Sequence, residues 1–175
     1  GQEYGDGHSL LESGVLGRGN IGYGWYPEPL PVGANGVSIT DAVDVSVKTN
    51  AACALRRDRT SVCWGANGWL GSALKIFGPW KPYPFAPTQE LAGVQSLSAG
   101  GAQCAVVVDH TVKCWGSSAY GNLGIGVNNI VTPIPVTVHG IDDALSVAGG
   151  VNHMCARRVT KISCWGRLGQ VNDEA

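Results

Sequence analysis

The sequence has little charge, one methionine and no long apolar run, and each shortage excludes a class of protein. Only 14% of the 175 residues are charged, and the formal net charge is −1. A nucleic-acid-binding protein normally has an excess of Lys and Arg over Asp and Glu, so we predict no nucleic-acid partner. A single methionine and few runs of Leu, Glu and Lys argue against a helical bundle. No run of 18 apolar residues occurs, which predicts no membrane-spanning segment.

Catalytic and metal-binding motifs are also missing from the sequence. It contains no Gly-x-Ser-x-Gly motif and no phosphate-binding loop between a strand and a helix. It has no Cys-x-x-Cys pair, and its aspartates lack the alternating oxygen ligands of a calcium loop. We therefore predict no catalytic residue, no metal site and no cofactor.

What the sequence does have is glycine, proline and an internal repeat. The 26 glycines and nine prolines are typical of many short strands joined by tight turns. A pattern of Cys-Ala, a short run, a polar turn and Cys-Trp-Gly occurs three times, starting at Cys53, Cys104 and Cys155. These copies contain all six cysteines and follow one another every 51 residues. A fixed period of this size indicates a repeat architecture.

Each copy predicts a β-hairpin. In the first copy, pairing about a turn at Arg57–Arg59 sets Cys53 opposite Cys63. A three-residue turn of this kind often needs a left-handed residue, and Arg59 and His110 occupy that position in the first two copies. The third copy is one residue shorter, so we expect it to turn differently, near Val159.

The opposed cysteines are predicted to form one disulfide in each hairpin. Opposed residues of a non-hydrogen-bonded antiparallel pair lie about 4.5 Å apart at Cα, which a disulfide tolerates. Free thiols and, more weakly, a zinc site remain alternatives. Disulfides would place the chain in an oxidising environment, which means that it is extracellular, periplasmic or on the cell surface. The predicted pairs are Cys53–Cys63, Cys104–Cys114 and Cys155–Cys164.

These repeats resemble the regulator-of-chromosome-condensation repeat, in its cysteine-bearing bacterial form. That repeat includes Val-Ala-x-Gly-x-x-His-x-Cys-Ala-Leu, then Asp-Gly-x-Val-x-Cys-Trp-Gly, then Gly-Gln-Leu-Gly-x-Gly. Matching residues of the second and third copies include Ala99, Gly100, Cys104, Ala105, Asp109, Val112, Cys114, Trp115, Gly116, Leu123, Gly124, Gly126, Gly150, His153, Cys155, Cys164, Trp165 and Gly166. The turn glycine is missing, and Ala51 and Ala102 stand where the family has histidine.

The resemblance implies an all-β fold, a β-propeller of four-stranded antiparallel blades, usually seven. About 3.5 repeats of about 51 residues are present, which implies part of a larger ring or a ring completed by another chain. We predict one repeat domain over residues 1–175. Its approximate repeats are 1–15, 16–65, 66–116, 117–166 and 167–175, the first partial or divergent and the last the start of a further repeat.

Two surface features are candidates for partner contact. The first is a proline-rich loop whose aromatic residues would either bind a partner or pack on the propeller itself; they are Trp69, Phe77, Trp80, Tyr83 and Phe85. The second is the positive charge at two hairpin ends, which we expect to be a solvated edge that discourages strand pairing. Its residues are Arg56, Arg57, Arg59, Arg157, Arg158 and Lys161.

Together these features predict a non-enzymatic, extracytoplasmic module that binds another protein or further copies of itself, as an interaction or scaffold unit. The alternative is a structural subunit of a larger complex or filament. Guanine-nucleotide exchange, as in the eukaryotic namesake, is less favoured because of the cysteines and the absence of an identifiable basic tail. A propeller enzyme such as a glycosidase would need paired carboxylates, and the repeat places none predictably.

Overall fold

The structure of the chain, a computed structural model, describes residues 33–34, 37–48, 51–65 and 91–167. This part of the chain contains twelve β-strands in four antiparallel sheets and no helix. The predicted all-β, antiparallel class is confirmed. Since no helix occurs in the described residues, none of them forms a helix that could cross a bilayer.

The first half of the described chain holds one small ribbon and one three-stranded sheet. The ribbon pairs β1 (Gly33–Ala34) with β2 (Val37–Ser38). The sheet has the strand order β3-β4-β5, formed by Ala42–Lys48, Ala51–Arg56 and Ser61–Gly65. We call this sheet blade 1.

The second half holds a complete four-stranded sheet and a further three-stranded one. Blade 2 has the order β6-β7-β8-β9, formed by Val94–Ala99, Gln103–Val107, Val112–Ser117 and Val131–Thr137. Blade 3 has the order β10-β11-β12, formed by Ala144–Gly149, His153–Arg158 and Ile162–Gly166. Blade 2 is the four-stranded antiparallel unit that the resemblance implies.

The outer strand of blade 2 comes from the segment that follows Cys-Trp-Gly. β9 pairs with β8 alone, so it is an edge strand, and it contains Pro133. The pairing shifts register between Cys114 and Gly116. A proline lacks the N–H that a central strand must donate, so an edge strand beside a register shift accepts it at little cost.

The strand registers confirm the predicted hairpins. Cys53 lies opposite Cys63, and Val106 lies opposite Val112. Each inner strand, β3, β6 and β10, carries a register shift near its start, at Ala42/Asp44, Val94/Ser96 and Ala144/Ser146. Because the register shift occurs at the same position in each blade, the residues of the three blades can be aligned with one another.

The hairpin turns also follow the prediction. Arg59 has φ 65° and His110 has φ 63°, so both adopt the left-handed conformation that usually requires glycine. The third hairpin, whose described turn contains no left-handed residue, closes with a bond from the Arg158 N–H to the Lys161 carbonyl at 2.8 Å. The shorter third copy therefore turns differently, as expected.

The hydrophobic core lies between consecutive blades. One cluster joins the disulfide-bearing face of blade 1 to blade 2, and a second joins that face of blade 2 to blade 3. The first contains Cys53, Leu55, Cys63, Val94, Leu97, Ala105 and Trp115. The second includes Cys104, Val106, Val112, Cys114, Ala144, Val147, Met154 and Ala156. Each blade is therefore stabilised by the face of its neighbour, as in a propeller.

Two serine hydroxyls tie the inner strands together across the blade boundaries. The Ser46 hydroxyl accepts a hydrogen bond from the Ala99 N–H at 2.8 Å. The Ser96 hydroxyl accepts one from the Val147 N–H at 3.2 Å. A buried N–H without a partner is costly, so these bonds fix the offset between neighbouring blades as well as adding stability.

Candidate functional site

The structure pairs the six cysteines as the hairpin register requires. Cys53–Cys63, Cys104–Cys114 and Cys155–Cys164 are disulfides, with Cα–Cα distances of 4.0, 4.1 and 4.0 Å. None of the cysteines is free. The chain therefore holds three staples, each within one hairpin, and we use that name for them below.

The staples differ in how well they are covered. Cys53 and Cys63 are buried under blade 2, and Cys104 and Cys114 are buried under blade 3. In blade 3, by contrast, Cys155 is half-buried and Cys164 is exposed. A staple is thus sealed only where another blade packs against its face.

The predicted aromatic loop cannot be placed. Trp69, Phe77, Trp80, Tyr83 and Phe85 lie outside the described residues, so their role stays a prediction. The matching loop of the next repeat, residues 118–130, is described and carries Tyr120, which follows the tryptophan of Cys-Trp-Gly by five positions, as Trp69 does in its own repeat. Tyr120 is exposed, with 43% of its surface accessible. Sequence reasoning missed this residue, although the loop alignment with Trp69 could have found it.

The loop between β8 and β9 is held by Ser118, which is fully buried. Its N–H donates to the Ile130 carbonyl at 2.7 Å, and its own carbonyl accepts from the Asn129 N–H at 2.6 Å. Its hydroxyl donates to the Val127 carbonyl at 3.3 Å and accepts from the Leu123 N–H at 3.4 Å. One residue thus closes a loop of about a dozen residues through its backbone and its hydroxyl, so the loop is preorganised.

Blade 3 anchors the same loop from the other side. The Trp165 indole N–H donates to the Asn122 carbonyl at 2.8 Å. Gly124 has φ +67°, and a β-carbon there would meet Val138 at 2.7 Å and the Trp165 ring at 3.0 Å. The glycine of the repeated Leu-Gly pair is therefore needed both for its backbone conformation and for the close approach of Trp165.

A groove of about 730 Å³ lies where this loop meets blade 3. Its lining includes Tyr120, Gly124, Gly126, Val127, Asn128, Ile130 and Trp165. We call it the Tyr120 groove. The Arg167 guanidinium lies over the Tyr120 ring, 5.1 Å from its centre, which is within the range of a cation–π interaction. Tyr120 and Trp165 give the groove aromatic walls and its glycines give it a backbone surface, while Arg167 lies beside it.

The opposite ends of the hairpins carry a repeated aspartate-threonine turn. The Asp58 carboxylate accepts bonds from the Thr60 hydroxyl at 2.7 Å and the Thr60 N–H at 2.9 Å. Asp109 accepts the same two bonds from Thr111, at 2.7 and 3.0 Å. The hydroxyl bond first, and then the N–H bond, lower the pKa of both aspartates below the usual 3.8. Sequence reasoning placed these residues in the turns but missed the pairing.

Two of the six cations at the hairpin ends are not simply solvated. Arg56 pairs with Asp41 at 3.1 Å, and Arg158 pairs with Asp143 and donates to the Gly140 carbonyl at 2.9 Å. Each aspartate immediately precedes the inner strand of its blade, which brings it opposite the arginine at the end of the second strand. The other four, Arg57, Arg59, Arg157 and Lys161, are exposed as expected.

No metal centre is assembled by the described residues. Within residues 33–34, 37–48, 51–65 and 91–167, no three His, Cys, Asp or Glu side chains are grouped closely enough to hold an ion. Asp41, Asp44, Asp142 and Asp143 accept bonds from arginine or from a backbone N–H. The Tyr120 groove is the candidate binding site in this part of the chain.

Comparison with known proteins agrees with these blades. Residues 109–157, which run from the turn of the second hairpin into the third, match the family model of the Regulator of chromosome condensation (RCC1) repeat. Residues 109–157 are therefore similar to one RCC1 repeat. The resemblance inferred from the sequence is thereby confirmed, while the bacterial form stays a prediction. A search of curated protein sequences found no match.

Solved RCC1-type structures share the fold at low sequence identity. The chain is similar to Prp20p of Saccharomyces cerevisiae, with a TM-score of 0.60 and 18% identity over 77% of this chain and 33% of that one. It is similar to human WBSCR16, with a TM-score of 0.65 and 18% identity over 88% and 41% of the two chains. A complex of Kap60 with yeast RCC1 gives a TM-score of 0.56 at 18% identity, over 75% and 33%. The described blades are therefore RCC1-type propeller blades, and the chain spans about a third to two fifths of these structures.

Proposed function

We propose that the chain is a non-enzymatic protein-interaction module that works in an oxidising, extracytoplasmic compartment. The observation that carries the proposal is the placement of its cysteines. All six form staples inside hairpins, and two staples are buried between blades. Such bonds persist in secreted, periplasmic and cell-surface proteins, whereas cytosolic thiols are kept reduced.

The surface supports binding rather than chemistry. A loop closed by Ser118 and anchored by Trp165 displays Tyr120, Val127 and Ile130, which are 43%, 49% and 37% exposed. Apolar residues on a rigid loop bind with a small loss of conformational entropy, because they are already ordered before a partner arrives. One protein with this fold binds other proteins: Prp20p, the yeast RCC1, is described with binding properties to Gsp1p and histones and is seen bound to Kap60.

Thiol trapping in living cells tests the compartment. Intact producing cells are treated with N-ethylmaleimide before lysis, and the mass of the chain is measured without reductant. We expect no labelled cysteine. Label on all six cysteines would place the native chain in a reducing compartment and contradict the extracytoplasmic assignment.

Crosslinking on the same cells tests the interaction. A short amine-reactive crosslinker applied to the native chain should capture one or a few proteins, or a further copy of the chain, in saturable amounts. Unlabelled chain added in excess should compete for the capture. No saturable product at any surface would contradict an interaction module, whatever the state of the cysteines.

The second candidate is a permanent structural subunit of a larger complex or filament. In the described residues, Ile162 of blade 3 is 71% exposed, whereas Val112, at the same position of blade 2, is fully buried. This observation favours the second candidate, because a permanent partner would cover the apolar face of blade 3. Size-exclusion chromatography of the native material separates the two candidates. A structural subunit stays in one stable complex on dilution, whereas an interaction module dissociates.

A further inference from the structure

The Tyr120 groove has a charge pattern that points to the chemistry of its occupant. Arg167 is stacked on Tyr120, and no described carboxylate lies within ion-pair distance of its guanidinium. The described segments that build the groove contain no Asp or Glu over residues 111–141 and 144–167. Among the described residues, therefore, Arg167 lies beside the groove without a neighbouring anion.

Four backbone N–H groups of the loop beside the groove are unpaired within the described residues. Gly126, Val127 and Asn128 line the groove, and the N–H groups of residues 125–128 donate no hydrogen bond to any other described group. Donors of this kind suit the carbonyl oxygens of an extended peptide or the oxygens of a carboxylate. Apart from Asn128, the side chains that line the groove are apolar or aromatic, since Val127, Ile130 and the rings of Tyr120 and Trp165 line the same space.

We propose that the Tyr120 groove binds an extended acidic segment of a protein partner, with a carboxylate of that segment pairing with Arg167. The apolar parts of the segment lie against Tyr120 and Trp165, and its backbone accepts bonds from the loop between β8 and β9. A guanidinium held over a tyrosine ring can bind both oxygens of a carboxylate through two parallel N–H bonds. This proposal rests on the proposed function and names the kind of partner.

Charge selectivity provides the test. The probe is a phage library of random linear peptides, selected on the oxidised native chain. We expect the selected peptides to be enriched in Asp and Glu, and to bind more weakly at high salt because the ion pair is partly exposed. A fluorescein-labelled selected peptide then gives affinities by fluorescence anisotropy.

The decisive variant is Arg167→Glu, because only the backbone N–H of Arg167 is bonded within the described fold, to the Asn152 carbonyl. It should lose about tenfold or more in affinity for the acidic peptide, as expected for loss of a charge-assisted bond. The same selection on this variant should enrich Lys and Arg instead. Lys161→Glu is the matched control, since it makes the same charge change at an exposed turn and should leave the affinity unchanged.

Tyr120→Ala is the second variant and should also weaken binding, because it removes the aromatic wall. Disulfide mapping and the melting temperature check that each variant is folded. The proposal is overturned if the wild-type chain selects no peptide, or if selected peptides bind Arg167→Glu as tightly as the wild type. If crosslinked partners persist in Arg167→Glu, the interaction module stands and the groove is not its contact site.

Discussion

The Cα atom of Gly149 lies 2.6 Å from the point where a β-carbon on Gly100 would stand. The converse distance, from a β-carbon on Gly149 to the Cα atom of Gly100, is 2.7 Å. Real β-carbons do not approach other atoms so closely, so the backbones of blades 2 and 3 touch at this pair of glycines. The contact lies at the ends of the inner strands β6 and β10, where the blades must crowd together most.

Gly100→Ala should therefore destabilise the chain by about 3 kcal/mol or more, because a β-carbon would meet the Gly149 backbone at 2.6 Å as well as the Met154 Sδ atom at 2.5 Å. For a domain of this size, that loss lowers the melting temperature by roughly 6–12 °C. Gly140→Ala is the control, since Gly140 has φ +70° but nothing within 4 Å of a β-carbon, so it should cost only about 1–2 kcal/mol. Equal melting temperatures for the two variants would show that the blades do not meet at these glycines.

The two aspartate-arginine pairs should differ in their effect on stability. The Arg158 side chain is 12% exposed and the Arg56 side chain is 35% exposed. Arg158→Ala leaves the Asp143 carboxylate and the Gly140 carbonyl without their donor, and should cost about 1–3 kcal/mol. Arg56→Ala removes a solvent-screened pair and should cost less than about 1 kcal/mol. Urea unfolding of both variants measures the difference, and a larger loss for Arg56→Ala would contradict the burial seen here.

The aspartate-threonine turns predict a pH dependence. The pKa of Asp109 is lowered in the folded chain by the Thr111 hydroxyl and N–H bonds. A lowered folded pKa means that the turn adds stability above the ordinary carboxyl pKa and loses it as the pH falls through the folded value. Asp109→Asn should therefore be less stable than the wild type near neutral pH, and the difference should vanish below the folded pKa, at the acid end of the titration.

Chemical denaturation from neutral pH down to the acid end measures this window. Thr111→Val serves as the control, because it removes the hydroxyl donor. When Asp109→Asn is added to Thr111→Val, it should therefore cost less stability than it does in the wild-type chain. A stability difference that stays constant with pH would show that the carboxylate charge plays no part in the turn.

Removing a buried staple should cost more than removing the exposed one. Cys104–Cys114 and Cys155–Cys164 close loops of nearly equal length, with separations of 10 and 9 residues. Loop-closure entropy alone predicts that each disulfide adds about 3 kcal/mol to the free energy of unfolding. The double variant Cys104→Ala with Cys114→Ala also opens space in a packed core, so it should lose about 1–3 kcal/mol more than Cys155→Ala with Cys164→Ala. Urea unfolding under non-reducing conditions compares them, and equal losses would contradict the covering of the second staple by blade 3.

The hairpins were predictable because residues close together in the sequence determine them. The cysteine spacing fixes the register, and a three-residue turn fixes where Arg59 and His110 must be left-handed. The meeting of Gly100 with Gly149 could not be derived, because it depends on how two blades sit beside each other.

The Tyr120 groove was less predictable for the same reason. Its walls come from a loop of blade 2 and from Trp165 of blade 3, which bonds a loop residue 43 positions earlier in the sequence. The cluster of aromatic residues around Trp69 was the stronger sequence signal for partner binding, and the single Tyr120 was not identified. The ion pairs of Arg56 and Arg158 were missed too, since only the strand register brings Asp41 and Asp143 beside them.

Graded reduction of the native chain tests most directly whether each staple is sealed by the next blade. The oxidised chain is exposed to a phosphine reductant under native conditions, alkylated at intervals, and mapped by mass spectrometry. Cys155–Cys164, with Cys164 exposed, should be reduced first. Cys53–Cys63 and Cys104–Cys114 should resist until the chain unfolds, because both are buried. Bridges between different hairpins, free thiols before reduction, or equal rates for all three staples would contradict stacked RCC1-type blades.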